Sequence, residues 1–482
     1  MVFSSVVFLF AFLPVTLALY FLAPRKLKNL VLLLVSLFFY FWGEGKLLVI
    51  MIASISINYL FGLAVHRIRD KEDLYRKIVL ALGITANLAL LGYFKYYDFV
   101  IETMNATIRT TFAIKSIALP IGISFFTFQG MTYIIDLYRG NAKVQRNPLK
   151  IALYIALFPP LIAGPIIRYN DIAEQIDSRQ ESIEDFSYGI KRFVFGLGKK
   201  VLIANNVALI SDSIFNASAD THTIATAWVG AICYTLQIYF DFSGYSDMAI
   251  GLGRMFGFKF RENFDYPYVS KSIREFWRRW HISLSSFFRD YLYIPLGGSR
   301  SGNVYFNLLI VFLATGLWHG AGWTFIIWGL WHGFFIIIEN VIRRRKKGKS
   351  KESVPQNIWV VITGRIYTLL VVVVGWVLFR SDSIEYAIVY IKNMFGFLSQ
   401  ASAKVSSLYY LNGFFIFVII VAMLLSIPVY PALKMKLQDV AETKNFGVIL
   451  YILQGLGIVI ILGVSLLFIV NQNYNPFLYF RF

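Results

Sequence analysis

The stretch ATGLWHGAGWTFIIWG, residues 314–329, decides how the central part of the chain folds. It lies inside an apolar run from 303 to 342, about twice the ~20 residues that one helix needs to cross a bilayer. The chain must therefore reverse or re-enter the membrane within this run, and the glycine-flanked WHGAG is the expected place. Irregular backbone at membrane depth is tolerated only where protein buries it or water lines it.

His319, in the middle of this break, is the first candidate for chemistry. An ionisable side chain at membrane depth indicates a functional site, and a buried structural histidine is the alternative. A histidine that stays neutral at pH 7 can accept the proton of an attacking hydroxyl, which is the work of a general base.

The other histidines have simpler interpretations, apart from His281, which is treated below. His332 is interpreted as a core histidine bonded to a neighbouring helix. On one continuous helix it would lie ~20 Å from His319, so the two are not expected to share a reacting atom. The polar surroundings of His66 and His222 predict solvated loops.

The composition is that of a membrane protein. Of 482 residues, 57% are hydrophobic and 15% are charged, and the mean hydropathy of +0.62 is far above that of a soluble domain. We predict an all-α polytopic protein with eleven transmembrane segments, or twelve if a run at 150–167 crosses despite Pro159 and Pro160. The other apolar runs lie near 2–22, 28–43, 46–65, 78–94, 117–138, 223–241, 303–318, 321–342, 358–379, 411–430 and 447–470.

The net charge of +19 comes from basic residues in short loops, which indicates membrane topology rather than nucleic-acid binding. Every second loop is basic, so these loops are predicted to be cytoplasmic and the N-terminus extracellular. If the run at 150–167 crosses once, the C-terminus is extracellular as well. The N-terminal MVFSSVVFLF lacks the positive start and the cleavage site of a signal peptide, and we interpret it as the first span. The single cysteine, Cys233, excludes disulfides within the chain and cysteine-based metal sites, and we predict no metal site.

The segment 239–302 differs from the rest because it mixes aromatic, charged and glycine residues without an uninterrupted span. Within it, REFWRRWHISLSSFFRDYL (274–292) is predicted to be one amphipathic helix that carries His281. Its apolar face consists of Phe276, Trp280, Leu284 and Phe287, and its flanking cations are Arg274, Arg278 and Arg279. The arginines either meet anionic lipid at the interface or bind the phosphates of a cytosolic cofactor, and helical spacing does not decide between these interpretations.

Three motifs, FDFSGYSDMAIGLGRMFGF, REFWRRWHISLSSFFRDYLYIPLGG and GLWHGAGWTFIIWGLWHG, cover about residues 239–335. In order and spacing they resemble the membrane-bound O-acyltransferase family, in the bacterial branch that acetylates alginate and peptidoglycan. The resemblance implies membrane helices around a central tunnel, with re-entrant or interfacial helices near its middle. It also implies that His319 is the principal catalytic residue and that His281 is a second polar group along the tunnel. The alternation of basic loops puts His319 near an outer turn, whereas the resemblance puts it deeper.

The resemblance also implies the substrates. The family takes an acyl group from a cytosolic thioester, so acetyl-CoA is the expected donor, with no permanently bound cofactor. Its phosphates are the expected ligands of Arg274, Arg278 and Arg279, with Trp280 beside them. The expected partners are an extracellular serine esterase or acetyltransferase-like protein, a polysaccharide or peptidoglycan acceptor, and the lipid of the bacterial cytoplasmic membrane. The alternatives are a transporter or flippase, a D-alanyl-type transfer protein, and a scaffold for an extracellular enzyme.

We predict one membrane-embedded acyltransferase domain over 1–482. It divides into N-terminal helices at 1–238, a catalytic motif region at 239–342, and C-terminal helices with an acceptor-side tail at 343–482. The tail ends in NPFLYFRF (475–482), whose F-x-Y-x-x-F spacing resembles the motif of the small companion peptide in the D-alanyl transfer system. This likeness implies that Tyr479 carries the acyl group, and the alternative is an aromatic belt that anchors the last helix.

Overall fold

A computed structural model gives the fold, and it describes residues 1–346, 357–397, 405–433, 435–436, 447–471 and 474–476. Across these ranges the regular secondary structure is helical and contains no β-strand, apart from one isolated bridge between His222 and Val405. The predicted all-α class is confirmed.

Within the described residues, six helical stretches are long and apolar enough to cross a membrane. They are Lys28–Arg67, Asp73–Ile108, Ile183–Phe215, Trp323–Arg345, Ile358–Arg380 and Gly447–Asn471, and shorter apolar helices cover Phe8–Leu22, Val304–His319 and Gly413–Leu425. The chain is therefore a multi-pass membrane protein, as its composition predicts. The segment Ile183–Phe215 is not among the spans predicted from hydropathy, because two pairs of basic residues, at 191–192 and 199–200, interrupt its apolar sequence.

The chain forms two compact units, of which the first comprises Met1–Phe193 with Tyr245–Arg261 and the second comprises Val194–Gly244 with the described residues from Glu262 onward. Helices that begin in the first unit are α1 Leu13–Leu22, α2 Lys28–Glu44, α3 Leu48–Arg67, α4 Asp73–Ile108, α5 Ile123–Tyr138, α6 Pro148–Ala156, α7 Phe158–Leu161, α8 Tyr169–Ser178 and α9 Ile183–Gly198. Those that begin in the second are α10 Asn205–Phe215, α11 Ile224–Met255, α12 Ile273–Arg279, α13 Ile282–Phe288, α14 Val304–His319, α15 Trp323–Lys346, α16 Ile358–Arg380, α17 Ile384–Met394, α18 Gly413–Leu425 and α19 Gly447–Asn471.

In the first unit, a buried polar contact joins three helices. The side-chain amides of Asn58 on α3 and Asn87 on α4 exchange two hydrogen bonds, of 3.0 and 3.1 Å. Gly130 on α5 lies against this pair, and a Cβ there would overlap the Asn58 amide. Interhelical hydrogen bonds and small residues drive helix association in lipid, where apolar burial contributes little. These three residues therefore hold α3, α4 and α5 together.

In the second unit, α14 and α15 form a tight antiparallel hairpin whose turn lies at WHGAG. Helix α14 ends at His319 and α15 begins four residues later, so the predicted reversal is confirmed. Two glycines let the helix backbones touch. A Cβ on Gly316 would overlap the carbonyl oxygen of Phe325, and a Cβ on Gly329 would overlap that of Phe312. The glycines of the motif therefore set the distance between the two helices.

Replacing Gly329 with alanine is expected to destabilise this hairpin, because the added methyl group forces the two backbones apart. Overpacking of this kind costs about 1–3 kcal/mol, and thermal unfolding of the purified protein in detergent would measure it. Gly455→Ala on α19 is the matched control, since a Cβ there meets no atom within 4 Å. Equal unfolding temperatures for the two variants would contradict this account of the hairpin.

Two sequence-based predictions are wrong because tertiary packing covers polar residues. Helix α11 continues from Ile224 to Met255, although the sequence predicts no uninterrupted span after 239; its polar side chains, such as Asp241, are buried. His222, predicted to be solvated, is also buried and packs edge-on against the ring of Tyr390 on α17 at 5.3 Å. His66 lies in the last turn of α3 and is partly exposed.

Candidate active site

The predicted amphipathic helix 274–292 is broken at its histidine. Helix α12 ends at Arg279 and α13 begins at Ile282, and His281 between them has a positive φ of 43°. Such a backbone costs a non-glycine residue about 1–3 kcal/mol and persists where its surroundings over-determine it. Asn263 supplies this constraint: its carbonyl accepts from the Ile282 N–H at 2.9 Å, and its side-chain oxygen accepts from the N–H and hydroxyl of Ser283. The apolar spacing predicts burial correctly, but the prediction of one continuous helix is wrong.

Asn263 also orients the His281 imidazole. The Nδ1 atom lies 3.2 Å from the Asn263 Oδ1, an oxygen that already accepts two hydrogen bonds from Ser283. Nδ1 is therefore the donor and carries the proton, and Nε2 keeps its lone pair. Burial lowers the pKa of the imidazole, so His281 is neutral at pH 7. Within the described ranges Nε2 has no hydrogen-bond partner, which leaves this lone pair available to a ligand.

His319, the last residue of α14, is buried among aromatic rings. Its ring centroid lies 4.9 Å from that of Trp318, 4.9 Å from that of Trp328 and 5.2 Å from that of Phe379. Such walls exclude water, and a low local dielectric strengthens the electrostatic interactions of a group inside. An imidazole in this position can act on a reacting group without competition from bulk water.

Three histidines and two tryptophans form a continuous series, which we call the aromatic row. Trp318 lies between His281 and His319, at 5.8 and 4.9 Å, and Trp328 lies between His319 and His332, at 4.9 and 5.2 Å. A separation of ~20 Å between His319 and His332 applies only if one continuous helix carries both, which is not the case here. The chain reverses between them, so they lie on α14 and α15 with a single indole between their imidazoles.

His332 is enclosed by aromatic side chains. Its imidazole is nearly parallel to the ring of Phe276 at 6.2 Å and perpendicular to that of Trp277 at 5.3 Å. Neither ring nitrogen has a hydrogen-bond partner in the part of the chain that the structure describes, so the predicted bond to a neighbouring helix is not found there. A Cβ on Gly375 of α16 would lie 2.9 Å from Nε2. The space around His332 is filled, as a packed core residue requires.

Two of the arginines predicted to bind phosphate have protein partners. Arg279 forms ion pairs with Glu275 at 3.0 Å and with Asp265 at 2.8 Å. Arg274 donates a hydrogen bond to the side-chain oxygen of Asn340 at 3.3 Å. Both guanidinium groups therefore help to hold α12 against its neighbours.

Arg278 and Trp280 complete the residues predicted to bind the donor. Arg278 is exposed, and among the described residues it forms no ion pair or hydrogen bond. Trp280 is buried, with its ring 4.8 Å from that of Trp376 and 5.6 Å from that of Phe276. Arg278 is thus the member of this set whose charge faces solvent.

The same described ranges contain no group of three His, Cys, Asp or Glu side chains that could hold a metal ion.

A second polar cluster, not predicted from the sequence, lies beside the segment that follows the last helix. Lys200 and Asp241 are buried and form an ion pair of 2.6 Å, and the Lys200 amine also donates to the carbonyl of Pro476. The sequence offered a way to find this cluster, because Lys200 and Asp241 are charged residues inside largely apolar helices, and such residues are rare and usually functional. Tyr479, three residues further on, lies outside the described residues.

The class of protein follows from this architecture together with sequence comparison. The fold is a multi-pass helical protein with buried histidines at a break between membrane helices, as the motifs predict. The family profile of the membrane-bound O-acyltransferases matches residues 139–347. The chain belongs to this family, and it is an O-acyltransferase. The transporter and scaffold alternatives are therefore wrong.

The similarity extends well beyond the motif region. A probable alginate O-acetylase of Azotobacter vinelandii is 41% identical over the whole of both chains. The peptidoglycan O-acetyltransferase of Helicobacter pylori is 38% identical over 82% of this chain and 80% of its own. The teichoic acid D-alanyltransferase of Bacillus subtilis is 32% identical over 55% of this chain and 70% of its own. The predicted family branch is confirmed.

Proposed function

We propose that this O-acyltransferase transfers an acetyl group from cytosolic acetyl-CoA to hydroxyls of a polysaccharide or peptidoglycan of the cell envelope. The two acetylating relatives named above are similar over more of this chain than the D-alanylating one. The observation that carries the proposal is the aromatic row, in which His319 lies at a break between membrane helices among rings that exclude water. The protein lies in the bacterial cytoplasmic membrane, with both termini outside and an extracellular esterase-like partner.

In the proposed reaction, His319 is the general base. The imidazole takes the proton of an attacking hydroxyl, whose oxygen bonds to the carbonyl carbon of the thioester. The carbon–sulfur bond then breaks and the imidazolium returns the proton to the departing sulfur, so the products are an ester and the free thiol of CoA. His281 lies one indole away, and its Nε2 accepts a hydrogen bond from the substrate.

The attacking hydroxyl is the phenol of Tyr479. A phenol ionises with a pKa of about 10, far below that of an aliphatic alcohol, so a neutral histidine can help to remove its proton. The acetylated tyrosine is an aryl ester, which is reactive enough for a second transfer. A serine of the extracellular partner attacks this ester, its oxygen takes the acetyl group, and its proton passes to the phenol oxygen. The partner then delivers the acetyl group to the polymer.

Consumption of acetyl-CoA by the purified protein tests this activity. With acetyl-CoA labelled in its acetyl group, the protein is expected to release the CoA thiol and to pass the label to its own tail and then to the acceptor. A D-alanyl thioester supplied in parallel should not be consumed. Turnover of the D-alanyl donor with intact acetyl-CoA would contradict the assigned acyl group and favour D-alanyl transfer.

Replacing Arg278 with alanine is expected to raise the KM for acetyl-CoA about tenfold with little change in kcat, because one charge-assisted contact to phosphate is lost. Steady-state kinetics with varied acetyl-CoA would measure the effect. Arg25→Ala removes another exposed arginine, and its KM should equal that of the natural protein. An unchanged KM in Arg278→Ala would assign this arginine to lipid head groups instead.

A further inference from the structure

The residues around the end of the last helix form a cluster that we call the stem socket. It consists of Lys200, Asn205, Asp212, Asp241 and Arg380, and it holds the three residues that we call the stem, 474–476. Each stem residue has its own hydrogen bond. The hydroxyl of Tyr474 donates to Asp212, the amide of Asn205 donates to Asn475 at 3.3 Å, and the amine of Lys200 donates to the carbonyl of Pro476.

Three of the four charged side chains of the stem socket are deeply buried. The side chains of Lys200 and Asp241 are 4% and 3% exposed, and that of Arg380, which pairs with Asp212 at 2.8 Å, is 3% exposed. A buried ion pair is weak evidence for stability, because the desolvation of its charges offsets much of their attraction, and ionisable side chains inside membrane helices are rare and usually functional. The charges therefore indicate a role other than cohesion.

The stem socket lies beside the aromatic row. Arg380 directly follows Phe379 in α16, and the Phe379 ring packs against the His319 imidazole with 5.2 Å between centroids. Asp212 accepts from Arg380 and also from the hydroxyl of Tyr474. The stem is thus linked through Asp212 to Arg380, which directly follows Phe379 in the wall of the His319 site.

We propose that the stem socket positions the C-terminal tail for acyl transfer, so that Lys200, Asp241, Asp212 and Tyr474 are positioning residues of the enzyme. This inference rests on the proposed role of Tyr479 as the acyl carrier. Tyr479 follows the stem by three residues, which an extended chain spans in at most about 11 Å. The point at which the stem is held therefore limits where the phenol can reach.

Labelling of a cysteine introduced at Phe482 tests whether the stem socket holds the tail. The one natural cysteine, Cys233, is buried, so Phe482→Cys supplies the reactive thiol. Two backgrounds are compared: Tyr474→Phe, which removes one hydroxyl and keeps the ring, and Lys200→Met with Asp241→Asn, which removes both charges of the pair together. In each, the rate of maleimide labelling is expected to rise about tenfold, the effect of losing a charge-assisted hydrogen bond.

Kinetics of the same substitutions, without the introduced cysteine, test whether the position of the tail matters for transfer. The kcat for acetylation of the acceptor is expected to fall about tenfold, while the KM for acetyl-CoA stays unchanged. Tyr386→Phe is the matched control, because its hydroxyl donates to the carbonyls of Phe215 and Ala217 in the same unit and does not contact the stem. It should change neither labelling nor kcat.

The outcomes separate this inference from the proposed function. Unchanged labelling in both backgrounds would overturn the stem socket as a holder of the tail, whatever the rate of transfer. Faster labelling with an unchanged kcat would overturn its positioning role. Normal transfer by Tyr479→Phe would overturn the proposed role of Tyr479 as the acyl carrier. The labelling rates would still decide whether the stem socket holds the tail.

Discussion

Alanine in place of His319 is expected to abolish acetyl transfer from acetyl-CoA while leaving a folded, membrane-inserted protein. General-base assistance contributes about 10²–10⁴-fold to the rate. Trp318 and Trp328 separate His319 from the other two imidazoles of the aromatic row, so neither His281 nor His332 can easily reach the same proton. Release of the CoA thiol and acetylation of the acceptor, both per molecule of folded protein, would measure the loss.

The other buried histidines of the same unit are the controls for this prediction. His222 packs against Tyr390, away from the aromatic row, so His222→Ala should lower stability with little effect on the rate per folded molecule. His332→Ala is expected to act in the same way, through packing. His281→Ala should reduce the rate, but less than His319→Ala. The His281 ring is separated from the proposed general base by the Trp318 indole, and its Nε2 only accepts a hydrogen bond from the substrate. If His319→Ala transferred acetyl groups as fast as the natural protein, His319 would not be the general base.

Phenylalanine in place of Tyr479 is expected to stop acetylation of the extracellular acceptor. The substitution keeps the aromatic ring and deletes the phenol oxygen on which the proposed acetyl ester forms. Acceptor acetylation by the purified protein with its partner would measure the loss. In the natural protein, incubation with acetyl-CoA in the absence of an acceptor should leave one acetyl group on the peptide that contains Tyr479, detectable by mass spectrometry.

Tyr409→Phe provides the control for the loss of a hydroxyl. Tyr409 is 81% exposed, and its substitution should leave both acetylation and the labelled peptide unchanged. Full acceptor acetylation by Tyr479→Phe, with no acetylated peptide in the natural protein, would mean that the aromatic tail anchors the last helix and that the acceptor reacts with the thioester directly.

Local sequence was sufficient for the fold class and for the position of the break. The run 303–342 is too long for one span and contains a cluster of glycines, so the reversal at WHGAG, with His319 at its edge, follows from bilayer thickness and from the position of the glycines. The burial of Phe276, Trp280, Leu284 and Phe287 follows from their helical spacing. Both inferences depend only on residues within one continuous stretch of the sequence.

Tertiary structure alone decided how the site is assembled. The backbone turns at His281 because Asn263, 18 residues earlier, accepts hydrogen bonds from the N–H groups of Ile282 and Ser283 and from the His281 ring. His319 and His332 come within one indole of each other because α14 and α15 pack through Gly316 and Gly329. Lys200 meets the carbonyl of Pro476 across 276 residues of sequence. Hydropathy and periodicity report the environment of a residue along its own helix, whereas the partner of a buried polar group is set by which distant helix packs against it.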